Sequence, residues 1–193
     1  SYYKKKHVGN FGLLGVFSFN GNKIVTCGGG GAIITNNKLL YKKIKHICST
    51  AKVKHSWKYI HNEVGYNFRL PAINAALGYS QLLKLKSFVQ KKTQLYKIYK
   101  KLFDSIKDIK IMSPPKYSKS NFWLQTMILS DKTKKLKNKI IHECHSSGIK
   151  VRPLWDLIST LNMYKNCPKM NLDNSKKAYE NLINLPSSSS IIK

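Results

Sequence analysis

Residues 13 to 19 and 31 to 35 are short runs rich in Val, Ile and Phe, and they predict two strands. The breaks between them are Asn20-Gly21-Asn22 and the glycine run Gly28 to Gly31. From Asn37 to Ser49 the apolar residues Leu39, Leu40, Ile44, Ile47 and Cys48 fall at helical spacing, with Asn36 or Asn37 placed to cap the helix. Residues 50 to 70 carry no clear period and are crowded with His, Trp, Tyr and Asn, which predicts a loop able to carry function.

Beyond it, Pro71 suits the first turn of a long amphipathic helix whose apolar positions run from Ile73 to Leu102 and end near Asp104. Strands follow near 109 to 113 and 121 to 129, then a helix from about Thr133 to Ser147 stopped by Gly148. A short strand at 149 to 152 and a last helix near 173 to 184 complete the pattern. The sum is an α/β chain with a modest open sandwich after the long helix. Pro186 and the serines 187 to 190 read as a segment where the chain leaves its core. No internal repeat is visible.

Within this pattern one lysine has an unusual address. Lys23 follows an apolar strand and the Asn20-Gly21-Asn22 turn, and a glycine run and second strand come after it. The amine is therefore expected at the rim of a sheet, within reach of a ligand. Alone it would be one more turn lysine; the surrounding string, from Ser18 through Thr26 and on to Gly28-Gly29-Gly30-Gly31-Ala32, is far more specific.

That string resembles the lysine-bearing segment of the pyridoxal-phosphate sugar aminotransferases of the DegT group, in particular the LegC type. The resemblance continues through Gly65-Tyr66-Asn67-Phe68-Arg69 and the helix start up to Gly78, and again at Arg152-Pro153-Leu154-Trp155, so it spans nearly the whole chain. It implies the aspartate-aminotransferase-like fold (PLP fold type I). Residues 1–70 would belong to the large cofactor domain, and 71–193 would form a long linking helix and a small C-terminal domain.

It also implies site residues. Lys23 would hold pyridoxal 5'-phosphate as a Schiff base and, once released, move a proton as acid and base. Ser18 would donate to the cofactor phosphate, and Asn67 would reach across a homodimer interface to the phosphate held by the identical subunit. Arg69, Arg152 and Trp155 are candidate substrate contacts, with Arg69 open equally to the subunit interface, a substrate carboxylate or a diphosphate, and Trp57, Tyr59 and His61 could line a sugar-nucleotide pocket or simply pack.

The implied reaction transfers an amino group from glutamate or glutamine to C4 of a nucleotide-linked 4-keto-6-deoxy hexosamine, towards legionaminic-acid-like surface sugars. A sugar dehydratase on the same scaffold is the near alternative, but those relatives typically carry histidine where this chain has Lys23. Two departures from the family pattern stand at Leu13, where an acidic residue is usual, and Ser159, where histidine is usual. Family members are roughly twice as long, and the opening Ser1-Tyr2-Tyr3-Lys4 has no initiator methionine or signal core, so the chain reads as a C-terminal fragment, inactive alone.

Charge changes this picture little. The chain has 35 basic and 8 acidic residues, a formal net charge of +27, which by itself suggests a module for nucleic acid or acidic polysaccharide. Only Arg69 and Arg152 are arginines, and scattered lysines are what solvated surfaces carry, so specific nucleic-acid recognition is not expected. The glycine run lacks the Gly-Lys-Ser/Thr ending of a phosphate-binding loop. Four isolated cysteines offer neither a disulfide framework nor a zinc set, and His142 with His145 has no third ligand nearby in sequence, so no metal is expected. A reducing cytoplasm is the default compartment, and no apolar run approaches the roughly 20 residues needed to cross a bilayer.

Overall fold

The computed structural model describes residues 1–192. In chain order its strands are β1 (Tyr2–Tyr3), β2 (Lys6–His7), β3 (Gly15–Ser18), β4 (Gly31–Ile34), β5 (Lys52–Val53), β6 (Ile60–His61), β7 (Ile109–Ile111), β8 (Ser118–Lys119), β9 (Gln125–Leu129), β10 (Arg152–Pro153) and β11 (Leu182–Leu185). Its helices are α1 (Lys38–Ile47), α2 (Ala72–Leu83), α3 (Leu85–Phe103), α4 (Lys137–Ser146) and α5 (Asp173–Asn181). They divide into two compact units, one of Ser1–Phe88 with Pro115–Ser120 and one of Val89–Pro114 with the residues from Asn121 onward.

In the first unit β3 and β4 form an antiparallel pair that aligns Gly15 with Ile34 and Ser18 with Gly31. The helix α1 begins where Asn37 Oδ1 accepts the backbone N–H groups of Leu39 and Leu40, both at 3.0 Å, which satisfies two of the four donors a helix start leaves open. Lys45 and His46 stand in its last turn, the end that favours positive charge. Residues 50–70 are not a plain loop as the sequence suggested. They hold the small β5–β6 hairpin, which aligns Lys52 with His61.

The predicted single helix from Pro71 to Asp104 is broken in two. At Lys84 the backbone N–H donates three residues back, to Gln81 O at 3.1 Å, and the ordinary four-residue spacing resumes with Phe88 N–H to Lys84 O at 3.0 Å. One tightened turn therefore separates α2 from α3.

The second unit is built on a four-stranded antiparallel sheet in the order β10-β11-β9-β7. Its core joins Ile111, Met127, Leu129, Val151 and Ile183, covered by Tyr96, Tyr99 and Phe103 of α3 and Ile140 and Ile141 of α4. Leu129 and Ile183 are fully buried, each contributing about 1.5–3 kcal/mol of burial.

Here the reading of a last helix through residue 184 is corrected. The helix ends at Asn181 and Leu182–Leu185 switch to an inner strand, because three of those four residues are apolar and their place between β9 and β10 pairs the backbone on both sides. The short strand expected at 149 to 152 is reduced to Arg152–Pro153. The tail does not leave the core either. Tyr99 donates to Pro186 O at 3.0 Å, the buried Lys92 ammonium donates to Trp123 O at 3.2 Å and to Ser187 O, and Lys91 donates to Ile192 O at 2.9 Å.

Candidate active site

The loop that carries Lys23 is closed at its base by backbone bonds. Beyond β3, Phe19 N–H donates to Gly30 O at 2.9 Å, extending the β3–β4 ladder by one rung. The Phe19 carbonyl then accepts twice, from Cys27 N–H at 2.9 Å and from Thr26 Oγ1 at 3.2 Å. Residues 20–26 are thereby pinched into a closed excursion. Inside it, Asn20 is the hinge between two predicted site residues: its N–H donates to Ser18 Oγ at 3.4 Å, and its carbonyl accepts Lys23 N–H at 3.0 Å. The structure thus brings Ser18 and Lys23 to one turn. Lys23 is half-buried, while Val25 and Cys27 just after it are buried.

The glycine run supplies the backbone geometry on the far side of the loop. Gly28 and Gly30 have φ of +80° and +91°, a region that residues with a Cβ rarely adopt. A Cβ built at Gly29 would meet nothing within 4 Å, so this stretch leaves open space beside the backbone. An amine and a hydroxyl on one closed turn are groups of the kind that an aldehyde and a phosphate require.

Asn67 is placed by a strap of backbone bonds on the end of α1. Tyr66 N–H donates to Ile47 O at 2.7 Å and Phe68 N–H to Cys48 O at 3.0 Å, while Thr50 N–H returns to Tyr66 O at 3.0 Å. Asn67 itself bridges Ser49. A cavity of about 720 Å³ in the same unit is lined by Val16, Phe17, Gly29–Gly31, Ile33, Ile44 and Arg69, among others. Of the predicted site residues Arg69 lines this cavity; Lys23, Ser18 and Asn67 do not.

Near the strap, the Lys43 ammonium bonds the Glu63 carboxylate and, with the nearby His46, holds it below the ordinary carboxylate range. On the β5–β6 hairpin Trp57 and Tyr59 are exposed, Lys52 Nζ lies 4.0 Å from the Tyr59 ring centre, and His61 Nδ1 meets Thr50 O at 2.7 Å.

Arg152 and Trp155 belong to the second unit. Arg152 is on β10 opposite Asn184, and the Trp155 ring stacks with Trp123 at 6.2 Å between centres. Of the two departures from the family pattern, Leu13 is exposed and its carbonyl accepts Thr35 Oγ1 at 2.8 Å, and Ser159 lies in the short turn 158–160.

Sequence reasoning missed the partners that close the Lys23 loop. Thr26 and Cys27 form its neck, and Asn74 Nδ2 of α2 donates to Cys27 O at 2.6 Å. The signal available was the four-residue spacing of Asn74 and Gly78, which puts both on one face of a helix; nothing in the spacing says what that face meets.

Comparison with known proteins agrees with this architecture. The model of the DegT/DnrJ/EryC1/StrS aminotransferase family matches residues 1–193, and the chain belongs to that family. EpsN of Bacillus subtilis (strain 168), named as a pyridoxal phosphate-dependent aminotransferase, is 34% identical over 82% of this chain and 40% of its own length. The UDP-4-amino-4,6-dideoxy-N-acetyl-beta-L-altrosamine transaminase of Campylobacter jejuni subsp. jejuni (strain 81-176) is 31% identical over 96% of this chain and 50% of its own.

Among solved structures, Helicobacter pylori PseC, an aminotransferase involved in pseudaminic acid biosynthesis, superposes with a TM-score of 0.90 at 29% identity, covering 97% of this chain and 51% of PseC. The α/β fold is therefore that of the sugar aminotransferases, and the chain spans about half the length of the relatives it matches.

Proposed function

We propose that the protein to which this chain belongs is a pyridoxal-phosphate-dependent aminotransferase acting on a nucleotide-linked sugar. The observation that carries this reading is the Lys23 turn, with Ser18 on its other side across Asn20, in a chain of this family. When bound, pyridoxal phosphate supplies an electron sink and carries the amino group.

Lys23 would bind the cofactor aldehyde through its amine and, when displaced, hold and return the proton at the reacting carbons. The Ser18 hydroxyl would orient the phosphate, and Asn67 would do the same for the cofactor of an identical subunit. Arg69, Arg152 and Trp155 would bind the substrate. Residues 1–70 are read as part of the large cofactor domain, and 71–193 as the linking helix and small domain.

The substrate we infer is a 4-keto-6-deoxy hexosamine on a nucleotide, with glutamate or glutamine as donor, on a route to a surface sugar of the legionaminic-acid type. The name of the Campylobacter relative, a UDP-4-amino-4,6-dideoxy sugar transaminase, supports an amino sugar built at C4. Because the chain spans about half of those relatives, turnover is expected from the complete subunit and not from these residues alone, in the cytoplasm where such nucleotide sugars are made.

The test is chemical trapping. The complete protein is mixed with pyridoxal phosphate, reduced with borohydride, digested and mapped. The label is expected on Lys23, and Lys23→Ala is expected to lose the visible absorption of the bound cofactor together with turnover. A label on another lysine, or none, overturns the reading.

A further inference from the structure

We propose that Asn74 and Gly78, on one face of α2, are positioning residues for Lys23, acting through the neck of the loop that carries it. The proposal rests on the reading of Lys23 as the cofactor-binding lysine.

The closed loop 20–26 is fastened to itself at Phe19, Thr26 and Cys27, which fixes its shape. That alone leaves its direction unset, because β3 and β4 form only a two-stranded ribbon. Direction is supplied by α2. The Asn74 amide donates to the Cys27 carbonyl at 2.6 Å, so one side chain reaches 47 residues back along the chain to the outgoing end of the loop. One helical turn later, Gly78 faces the Cys27 thiol. A Cβ built at Gly78 would lie 2.4 Å from Cys27 Sγ, closer than real side chains approach, and Gly78 and Cys27 are both buried.

The hydrogen bond holds the neck in place along the helix, and the bare glycine sets how deep it sits. Cys27 is four residues from Lys23, with the buried Val25 between them, so a displaced neck carries the amine with it.

Gly78 in the interior of a helix is itself a cost, since alanine there favours the helix. If Gly78 mattered only to α2, Gly78→Ala would raise thermal stability and leave Lys23 untouched. The brace predicts the opposite, and it predicts a suppressor: removing the thiol should make room for the new methyl.

The experiment follows two signals in the complete protein and its variants. One is the rate at which pyridoxal phosphate and cyanoborohydride label Lys23 at fixed pH, with the other lysines of the chain as internal reference. The other is amide hydrogen exchange of residues 20–26. Gly78→Ala is expected to slow Lys23 labelling on the order of 10–100-fold, the penalty for misplacing a reacting group by about an ångström, and to speed exchange in the loop. Cys27→Ala in the same background should restore both to within about threefold of the parent, by removing the clash. Asn74→Ala should give a loss of the same kind, about tenfold, that Cys27→Ala does not repair.

Labelling and exchange unchanged in Gly78→Ala overturn the brace, as does a Cys27→Ala/Gly78→Ala protein that stays slow or fails to fold. If the parent protein is labelled on another lysine while loop exchange still responds to Gly78→Ala and its suppressor, the cofactor reading has failed and the brace has not.

Discussion

Two strands of similar apolar character meet opposite fates in this chain. In the second unit β9 lies between β7 and β11, and its residues Gln125, Met127 and Leu129 are buried in alternation. In the first unit β3 has β4 as its one strand neighbour among the described residues, and Val16 is 71% exposed. A strand's sequence says what it can bury; the number of neighbours it finds decides what it does bury. The second unit completes a core of its own. The first presents the Lys23 loop on a ribbon whose Val16, Ile33 and Ile34 are exposed, so its geometry leans on point contacts: the Phe19 carbonyl, the Asn37 cap and the strap on α1.

The largest expected effect tests that contrast directly. Leu129→Ala removes a fully buried side chain from the sheet core and should cost about 2–5 kcal/mol, read as a lowered urea midpoint at unchanged slope. Val16→Ala on the ribbon should change stability by no more than about 0.5 kcal/mol. Equal costs at the two positions would break the comparison.

Next in size is the fastening of the tail. Lys92 is 5% exposed, and burial holds its ammonium below the usual lysine range. It serves two carbonyls, those of Trp123 and Ser187, with no carboxylate beside it in these bonds. Lys92→Met removes a desolvated charge, which is favourable, and strips two acceptors of their donor, which costs more. The net loss should be about 1–3 kcal/mol. It should come with faster amide exchange around residues 187–192 and none around the Lys23 loop. A neutral or stabilising result would mean that the tail is held by Tyr99 and Lys91 without it.

What the chain's pattern made legible divides along the same line. The β3–turn–glycine–β4 segment and α1 could be read because their signals are local: a turn of Asn and Gly, a cap, a helical period. The break at Lys84 has no Pro or Gly to announce it. The inner strand Leu182–Leu185 reads as helix as far as residue 184 because a short, mostly apolar run fits either form until its partner is known, and its partners β9 and β10 are distant in sequence. The site was legible to the same depth. Lys23 and Ser18 stand in one contiguous string, whereas the Asn74 bond to Cys27 spans 47 residues and no spacing rule reaches it.

The smallest effect separates the units by how each holds a carboxylate. Glu63 in the first and Asp131 in the second are both held below their ordinary values of 4.5 and 3.8. A lowered carboxylate contributes stability that is present above its unfolded value and lost as pH falls through the folded one, so both contributions should fade in acid below those values. The leading causes differ. For Glu63 it is the hydrogen bond from the Lys43 ammonium, supported by the charges of Lys43 and His46. For Asp131 it is the neutral Asn181 amide, at 3.3 Å, ahead of Lys177. At 1 M salt the screening length falls to about 3 Å, which weakens attraction between exposed charges and leaves a bond from an amide nearly intact. Carboxyl carbon titration by NMR should therefore show the Glu63 midpoint rising with salt more than that of Asp131. Asn181→Ala should raise the Asp131 midpoint and leave Glu63 where it was. If salt moves the two together, both units hold their acids by charge alone, and the distinction between them lies in the strands and not in the polar groups.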